Sequence, residues 1–292
     1  MVKMLRINHV SKHFKKHRIL NDVSFSLEPG ESILLFGPNG AGKTSLLRLI
    51  MGHYQADAGN IEWKDPQTQV GFVLQDASLM DRVTIKELIQ FTRGLYPNPI
   101  SYSEALALSG LEEKESVKTE QLSIGQKRKM IFALALIGRP KLLIMDEPTA
   151  GMDVSARKHV YHQIQKLKDH GMTILMTTHL LNEASLLGDR VLLLEKGHLI
   201  TNESVENIES YKKWLRFTTE TNDSDPILKA AGFNWNLIWK RWELQTENTD
   251  QWVRWLVEKE ISFSDLSIDK RSMEEYFEEM TSKGGDYNED VV

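Results

Sequence analysis

Gly37-Pro38-Asn39-Gly40-Ala41-Gly42-Lys43-Thr44 lies between an apolar run, Ser32-Ile33-Leu34-Leu35-Phe36, and a helix-patterned segment, Thr44-Ser45-Leu46-Leu47-Arg48-Leu49-Ile50. The eight residues fit G-x-x-x-x-G-K-[ST], and the strand–loop–helix context that gives this pattern its meaning is present on both sides. Gly40 and Gly42 let backbone N–H groups turn inward, and the helix N-terminus adds partial positive charge, so the loop suits anionic phosphates. Lys43 can reach the β- and γ-phosphates, and Thr44 can offer its hydroxyl to Mg²⁺. The segment implies binding of a nucleoside triphosphate.

Working outward, 292 residues suffice for a full α/β domain and a smaller second one. Hydrophobic residues make up 41% and charged residues 26%, as in ordinary globular chains. A net charge of −5 gives no global pull toward nucleic acid, and no nucleic-acid partner is expected. Residues 202–292 carry 11 Lys/Arg against 20 Asp/Glu, which leaves the first 201 residues net positive and argues for a domain boundary near residue 202. The absence of cysteine excludes disulfides and thiol redox catalysis and fits a cytoplasmic protein. Met1-Val2-Lys3-Met4-Leu5-Arg6 runs into a strand pattern without the features of a signal peptide, and no apolar run approaches the ~20 residues that span a bilayer. Any membrane role is then exercised from the cytoplasmic side.

The patterning predicts antiparallel strands at Leu5–Val10 and Val23–Leu27 joined by a polar, basic loop, a strand at Asn60–Lys64, and a buried strand at Val70–Leu74 ending at Gln75. Helical periodicity follows at Thr84–Tyr96, Tyr102–Ser109 and Ile124–Ile137. Leu142–Met145 is a continuous apolar strand of the kind covered on both faces of a parallel sheet. Helices at Val154–His170 and Leu180–Leu187 alternate with strands at Thr173–Thr177 and Arg190–Leu194, which argues for a doubly wound sheet with ligand at the carboxyl ends of its strands. Beyond residue 202 the order becomes strand (Tyr211–Thr219), helix (Pro226–Ala231), hairpin (Asn234–Glu247), helix (Asp250–Lys259), strand (Ile261–Ile268), with a terminal helix at Met273–Met280. That order points to a small α+β, ferredoxin-like domain over 202–282. The polar, acidic segment 283–292 reads as a mobile tail.

Two further features carry chemistry. In Leu142-Leu143-Ile144-Met145-Asp146-Glu147-Pro148, Asp146 sits where an apolar strand ends and can hold Mg²⁺ through water beside the γ-phosphate, while Glu147 can polarise an attacking water as general base. Ser123 and Gly125 precede or open a helix, so a hydroxyl and an N–H are available to a phosphate there by the same dipole logic.

Gln121-Leu122-Ser123-Ile124-Gly125-Gln126 resembles the LSGGQ signature of ABC (ATP-binding cassette) ATPases, and His179 follows at the end of a later strand. With the phosphate loop and the Asp146-Glu147 strand, the resemblance runs collinearly from Met4 to about Thr201. It implies an α/β P-loop NTPase over residues 1–201, with an antiparallel β subdomain and a helical subdomain at about 76–135. Phe14 would stack on adenine, which needs only a π-face. The loop from Gly37 through Pro38, Asn39, Gly40, Ala41, Gly42, Lys43 and Thr44 to Ser45 would bind ATP, and Gln75 would sense Mg²⁺ and the γ-phosphate beside Thr44 and Asp146. Ala150-Gly151-Met152-Asp153 would be the D-loop and His179 the switch histidine. Ser123, Gly125 and Gln126 would complete the site in trans, across a head-to-tail dimer that sandwiches two ATPs. An isolated copy is then expected to be a poor ATPase. Ile124 departs from the family's glycine: if close backbone approach is needed there, the trans contact weakens, and if Ile124 points outward the change is neutral.

Six of the seven tryptophans lie after residue 202. They build either a small core of large side chains or a dimerisation or ligand-sensing surface, and Trp252 and Trp255 share a helix face. Ser272-Met273-Glu274-Glu275-Tyr276-Phe277 resembles the closing helix of exporter ATPases with a C-terminal extra domain. The short Gln75–Ser123 segment is again similar to that branch. Asp76–Thr84 would line the groove that receives a coupling helix, with Leu79 and Met80 as its apolar floor or as ordinary core. The reading is the ATPase subunit of a bacterial ABC transporter, of the drug- or peptide-exporter branch. Its partners would be a second ATPase subunit, identical or different, and separate membrane permease subunits at the cytoplasmic face of the membrane. Two readings stand beside it: a soluble ABC ATPase acting on ribosome or DNA, and a sensory ABC subunit of low turnover.

Overall fold

The computed structural model describes residues 3–210, 213–220, 222–270 and 272–283, and two compact units meet between Asn202 and Glu203. In the first, β1 (Leu5–Phe14) and β2 (His17–Leu27) form a long antiparallel hairpin whose turn holds Lys15 at φ 56°. The expected basic loop is therefore a tight turn, and the strands run through it. Asp57 is the physical reason: it accepts from Lys12 Nζ at 2.8 Å and from the His13 N–H at 2.6 Å, neutralising the basic stretch so that it can pair.

After β3 (Ser32–Phe36) and α1 (Lys43–Ile50), β4 (Ala58–Trp63) pairs with β1 to complete a three-stranded sheet, β2-β1-β4. β5 (Val70–Val73) then leads to α2 (Ile85–Gly94), α3 (Tyr102–Ser109) and α4 (Ile124–Leu136). These helices bury Ile85, Leu88, Ile89, Ala105 and Met130 in a core of their own. Thr84 caps α2 through a reciprocal box with Glu87, so that helix starts one residue later than its periodicity alone indicates.

β6 (Leu142–Asp146), α5 (Val154–Asp169), β7 (Thr173–Thr178), α6 (Leu181–Leu187), β8 (Arg190–Glu195) and β9 (His198–Ser204) complete the main sheet, in the order β5-β6-β7-β3-β8-β9. β5, β6, β7, β3 and β8 pair in parallel. β6 and β7 are buried along their whole length, around the apolar runs Leu142–Met145 and Ile174–Met176. The register sets Phe36 opposite Thr178, Thr177 opposite Asp146, and Met145 opposite Val73. The carboxyl ends of four neighbouring strands thus finish at one level. β9 was not expected from the pattern; it follows a turn at Lys196 and Gly197, both at positive φ.

The second unit contains α7 (Val205–Ser210), β10 (Lys213–Thr218), α8 (Pro226–Ala230), β11 (Asn234–Asn236), β12 (Arg241–Thr246), α9 (Thr249–Glu258), β13 (Ser264–Lys270) and α10 (Met273–Lys283). Its sheet is antiparallel, in the order β11-β12-β10-β13, the arrangement of a split β-α-β, ferredoxin-like unit. Trp242 is fully buried among Leu215, Phe217, Leu228, Phe233 and Leu256, with Trp235, Trp252 and Trp255 packed on that cluster. Most of the tryptophan-rich sequence is therefore core, whereas Trp239 is exposed. β13 begins three residues later than expected. Tyr211 and the expected tail, apart from Lys283, lie outside the described residues. No helix among the described residues is long and apolar enough to cross a membrane.

Candidate nucleotide site

The loop after β3 encloses a cavity of about 460 Å³ with Gln75 and Glu147, and Asn39, Gly40, Ala41, Gly42, Lys43, Thr44 and Ser45 all contribute to its wall. Two glycines are required by position. A Cβ on Gly37 would stand 2.2 Å from the carbonyl oxygen of Leu194. Gly42 caps α1 at φ 107°, and a Cβ there would meet the Ile19 carbonyl oxygen at 2.7 Å.

Lys43 is nearly buried, and its Nζ donates to the Gly37 carbonyl at 2.7 Å and the Pro38 carbonyl at 3.2 Å. Burial lowers the Lys43 pKa from the ordinary lysine value, and the carboxylates of Glu147 and Asp146 pull it back up. Nζ also lies 3.7 Å from Glu147 Oε1, an ion pair rather than a third hydrogen bond.

Glu147 is the meeting point. Its Oε1 stands 3.3 Å from His179 Nδ1, and His179 keeps about half its side chain exposed, at 46%. Glu147 adopts φ 46°, a left-handed backbone that a glutamate rarely takes. Thr177 holds it there: its Oγ1 accepts from the Glu147 N–H at 2.9 Å and donates to Asp146 Oδ1 at 2.6 Å. Asp146 is buried at the end of β6, with its Oδ1 fixed by Thr177.

The remaining expected residues lie apart from this cavity wall. Phe14 ends β1, partly exposed, with its ring edge-on to Tyr54 at 5.0 Å. Ile19, which sequence reasoning passed over, is the member of the β1–β2 hairpin that does line the cavity. Ser123 caps α4 through a reciprocal box with Gln126. A Cβ on Gly125 would come within 3.3 Å of the Ala156 Cβ on α5, so glycine allows the two helices to approach. Ile124 is 68% exposed and points away from that contact. Asp153 caps α5 by accepting from the Ala156 N–H at 2.8 Å. Sequence reasoning also missed Thr149, Tyr161, Thr178 and Glu183, a buried hydroxyl–carboxylate cluster behind Glu147 and His179. No spacing rule flags it, although two threonines directly after the apolar run Ile174–Met176 are the visible trace.

A family model described as "ABC transporter" matches residues 20–150. The linearmycin resistance ATP-binding protein LnrL of Bacillus subtilis is 35% identical over 213 residues, 68% of this chain and 68% of that protein. Nod factor export ATP-binding protein I of Bradyrhizobium diazoefficiens is 39% identical over 202 residues, 64% of this chain and 66% of that protein. An uncharacterized ABC transporter ATP-binding protein of Bacillus subtilis, YhcH, is 28% identical over 299 aligned positions, 97% of each chain, so that match extends through the second unit. Among solved structures, the ATP-binding subunit of an ABC transporter superposes with TM-score 0.63 at 26% identity, covering 70% of this chain and 92% of that one. A dimeric ATP-binding cassette in a post-hydrolysis state, bound to ADP and Pi, gives 0.62 at 25% identity, covering 69% and 99%.

Proposed function

Because this chain belongs to the ABC transporter ATP-binding proteins, ATPases that energise membrane partners, we propose that it powers an exporter through ATP-driven closure of a cassette dimer. The observation that carries the reading is the placement of Glu147 between Lys43 and His179, at the mouth of the phosphate-loop cavity.

In this reading the loop N–H groups and Lys43 hold the β- and γ-phosphates. Thr44, Asp146 and Gln75 offer hydroxyl, carboxylate and amide oxygens, a hard donor set that fits Mg²⁺. Bound there, Mg²⁺ supplies positive charge to the phosphate oxygens. Glu147 takes the proton of the attacking water, and His179 fixes Glu147 and faces the γ-phosphate. Phe14, partly exposed at the end of β1, is the ring assigned to stack on adenine.

Ser123, Gly125 and Gln126 complete the site of a second cassette, which ties turnover to closure. Ile124, the departure from the family's glycine, is 68% exposed at the start of the signature helix, where a second cassette would approach. Closure free energy passes through the Gln75 segment to membrane permease subunits at the cytoplasmic face. Met80, Phe91 and Leu95 are exposed on the helical part and suit an apolar docking contact. Export rather than import is supported by the names of the relatives. The test is Glu147→Gln in the full chain: ATP binding persists and steady-state hydrolysis falls by about 10²–10⁴-fold. Unchanged turnover would remove Glu147 from the reaction.

A further inference from the structure

Glu183 has no exposed surface, yet it is a carboxylate in the first turn of α6. Its cost of burial is met by three hydroxyls from three elements. Thr149 Oγ1 donates to Oε1 at 2.5 Å, the Tyr161 hydroxyl donates to the same oxygen at 2.7 Å, and Thr178 Oγ1 donates to Oε2. Burial first, and the Glu183 carboxylate second, push the Tyr161 phenol far above its ordinary value, so it remains a donor.

The donors are placed around the hydrolytic pair. Thr149 is two residues beyond Glu147, and Thr178 immediately precedes His179. Thr178 Oγ1 also accepts from the Leu180 N–H at 3.0 Å, so it braces the turn that carries His179 from both sides. Tyr161 rides on α5, the helix that Asp153 caps at the end of the Ala150-Gly151-Met152-Asp153 loop. Thr177, one position earlier on β7, clamps Asp146 and the Glu147 backbone. The adjacent threonines thus divide the work: one holds the carboxylates of β6, and the other delivers the histidine turn to Glu183. An apolar side chain could fill the space, but it could not fix three separate segments in one register.

We propose that Glu183 is a positioning residue for ATP hydrolysis, holding the Glu147 turn, the His179 turn and α5 in the arrangement that places His179 against Glu147. The proposal rests on the assignment of Glu147 and His179 to the reaction. The carboxylate acts through His179 and touches no substrate.

The experiment compares single-turnover hydrolysis and equilibrium ATP binding in the full chain for Glu183→Gln, Thr178→Val, Thr178→Ser, His179→Ala and the Glu183→Gln/His179→Ala double variant. Glu183→Gln and Thr178→Val are expected to slow hydrolysis by about 10- to 100-fold with ATP affinity within about twofold of wild type. Thr178→Ser keeps the hydroxyl and recovers the rate. On the His179→Ala background, Glu183→Gln adds less than about twofold, since both act through one group. A full multiplicative loss in the double variant, a parallel loss of ATP affinity, or a wild-type rate for Glu183→Gln would overturn the proposal. If Glu183→Gln does not fold, the Thr178→Val and Thr178→Ser pair decides alone: equal rates for the two reject it. Glu147→Gln is the separate control, since its retention of turnover would overturn the underlying assignment rather than the role of Glu183.

Discussion

His179 Nδ1 stands 3.3 Å from Glu147 Oε1, and the two residues are brought there from the ends of neighbouring parallel strands. The register explains the meeting. Asp146 pairs with Thr177, so Glu147 and Thr178 leave the sheet side by side, and His179 follows one step later. On the proposed function, in which the histidine serves the reacting end rather than the phosphate loop, His179→Ala should lower kcat by about 10²–10³-fold while ATP affinity stays near wild type. Steady-state kinetics beside equilibrium binding checks this, and a loss confined to KM would contradict it.

Lys43 gives a second prediction. Its folded pKa is lowered by burial, so in the nucleotide-free protein the folded state binds fewer protons than the unfolded state between the lowered value and 10.5. The cost of burying the ammonium is full below that window and is relieved as pH rises through it. Urea midpoints of wild type minus Lys43→Met should become more favourable to wild type on going from neutral to alkaline pH. Lys43→Met should also abolish stabilisation by ATP at neutral pH.

Gly42→Ala should destabilise the first unit by about 1–3 kcal/mol. The residue needs φ 107°, and the new methyl would stand 2.7 Å from a backbone carbonyl oxygen and 2.9 Å from Leu20 Cδ2. Chemical denaturation measures the loss. Gly40→Ala shares the positive φ but meets nothing within 4 Å, so its cost should be smaller.

In the second unit, Arg216 Nη1 donates to Asp269 Oδ2 at 2.9 Å, and that hydrogen bond is the main reason the Asp269 carboxyl lies below its ordinary 3.8. The stability it contributes is present above about pH 4 and is lost as pH falls through the folded value. Asp269→Asn should flatten the acid limb of the second unit's unfolding, followed by tryptophan fluorescence. Trp242→Ala, in the apolar core of the same unit, should cost about 3–5 kcal/mol.

The phosphate loop and the Asp146-Glu147 strand were legible because each is a local pattern on a single element with fixed backbone demands. The alternation of strands and helices also gave the sheet, since β6 and β7 are buried along their whole length around the apolar runs Leu142–Met145 and Ile174–Met176. The β1–β2 turn and β9 were not legible, because their pairing depends on Asp57 and on a Lys196-Gly197 turn rather than on apolar periodicity. The Glu183 cluster was invisible for a different reason. Thr149, Tyr161, Thr178 and Glu183 are ordinary residues one by one, and only the tertiary fold makes a buried carboxylate with three hydroxyl donors.

Completion of the proposed site by a second cassette is tested by dimerisation of Glu147→Gln. Light scattering of the full chain should show a monomer without nucleotide and a dimer with Mg-ATP, with Lys43→Ala remaining monomeric under both conditions. Loss of the ATP-dependent dimer on changing Ser123 to Ala would tie the contact to the signature helix. A Glu147→Gln protein that binds ATP yet stays monomeric, alone and with its membrane subunits present, would contradict it.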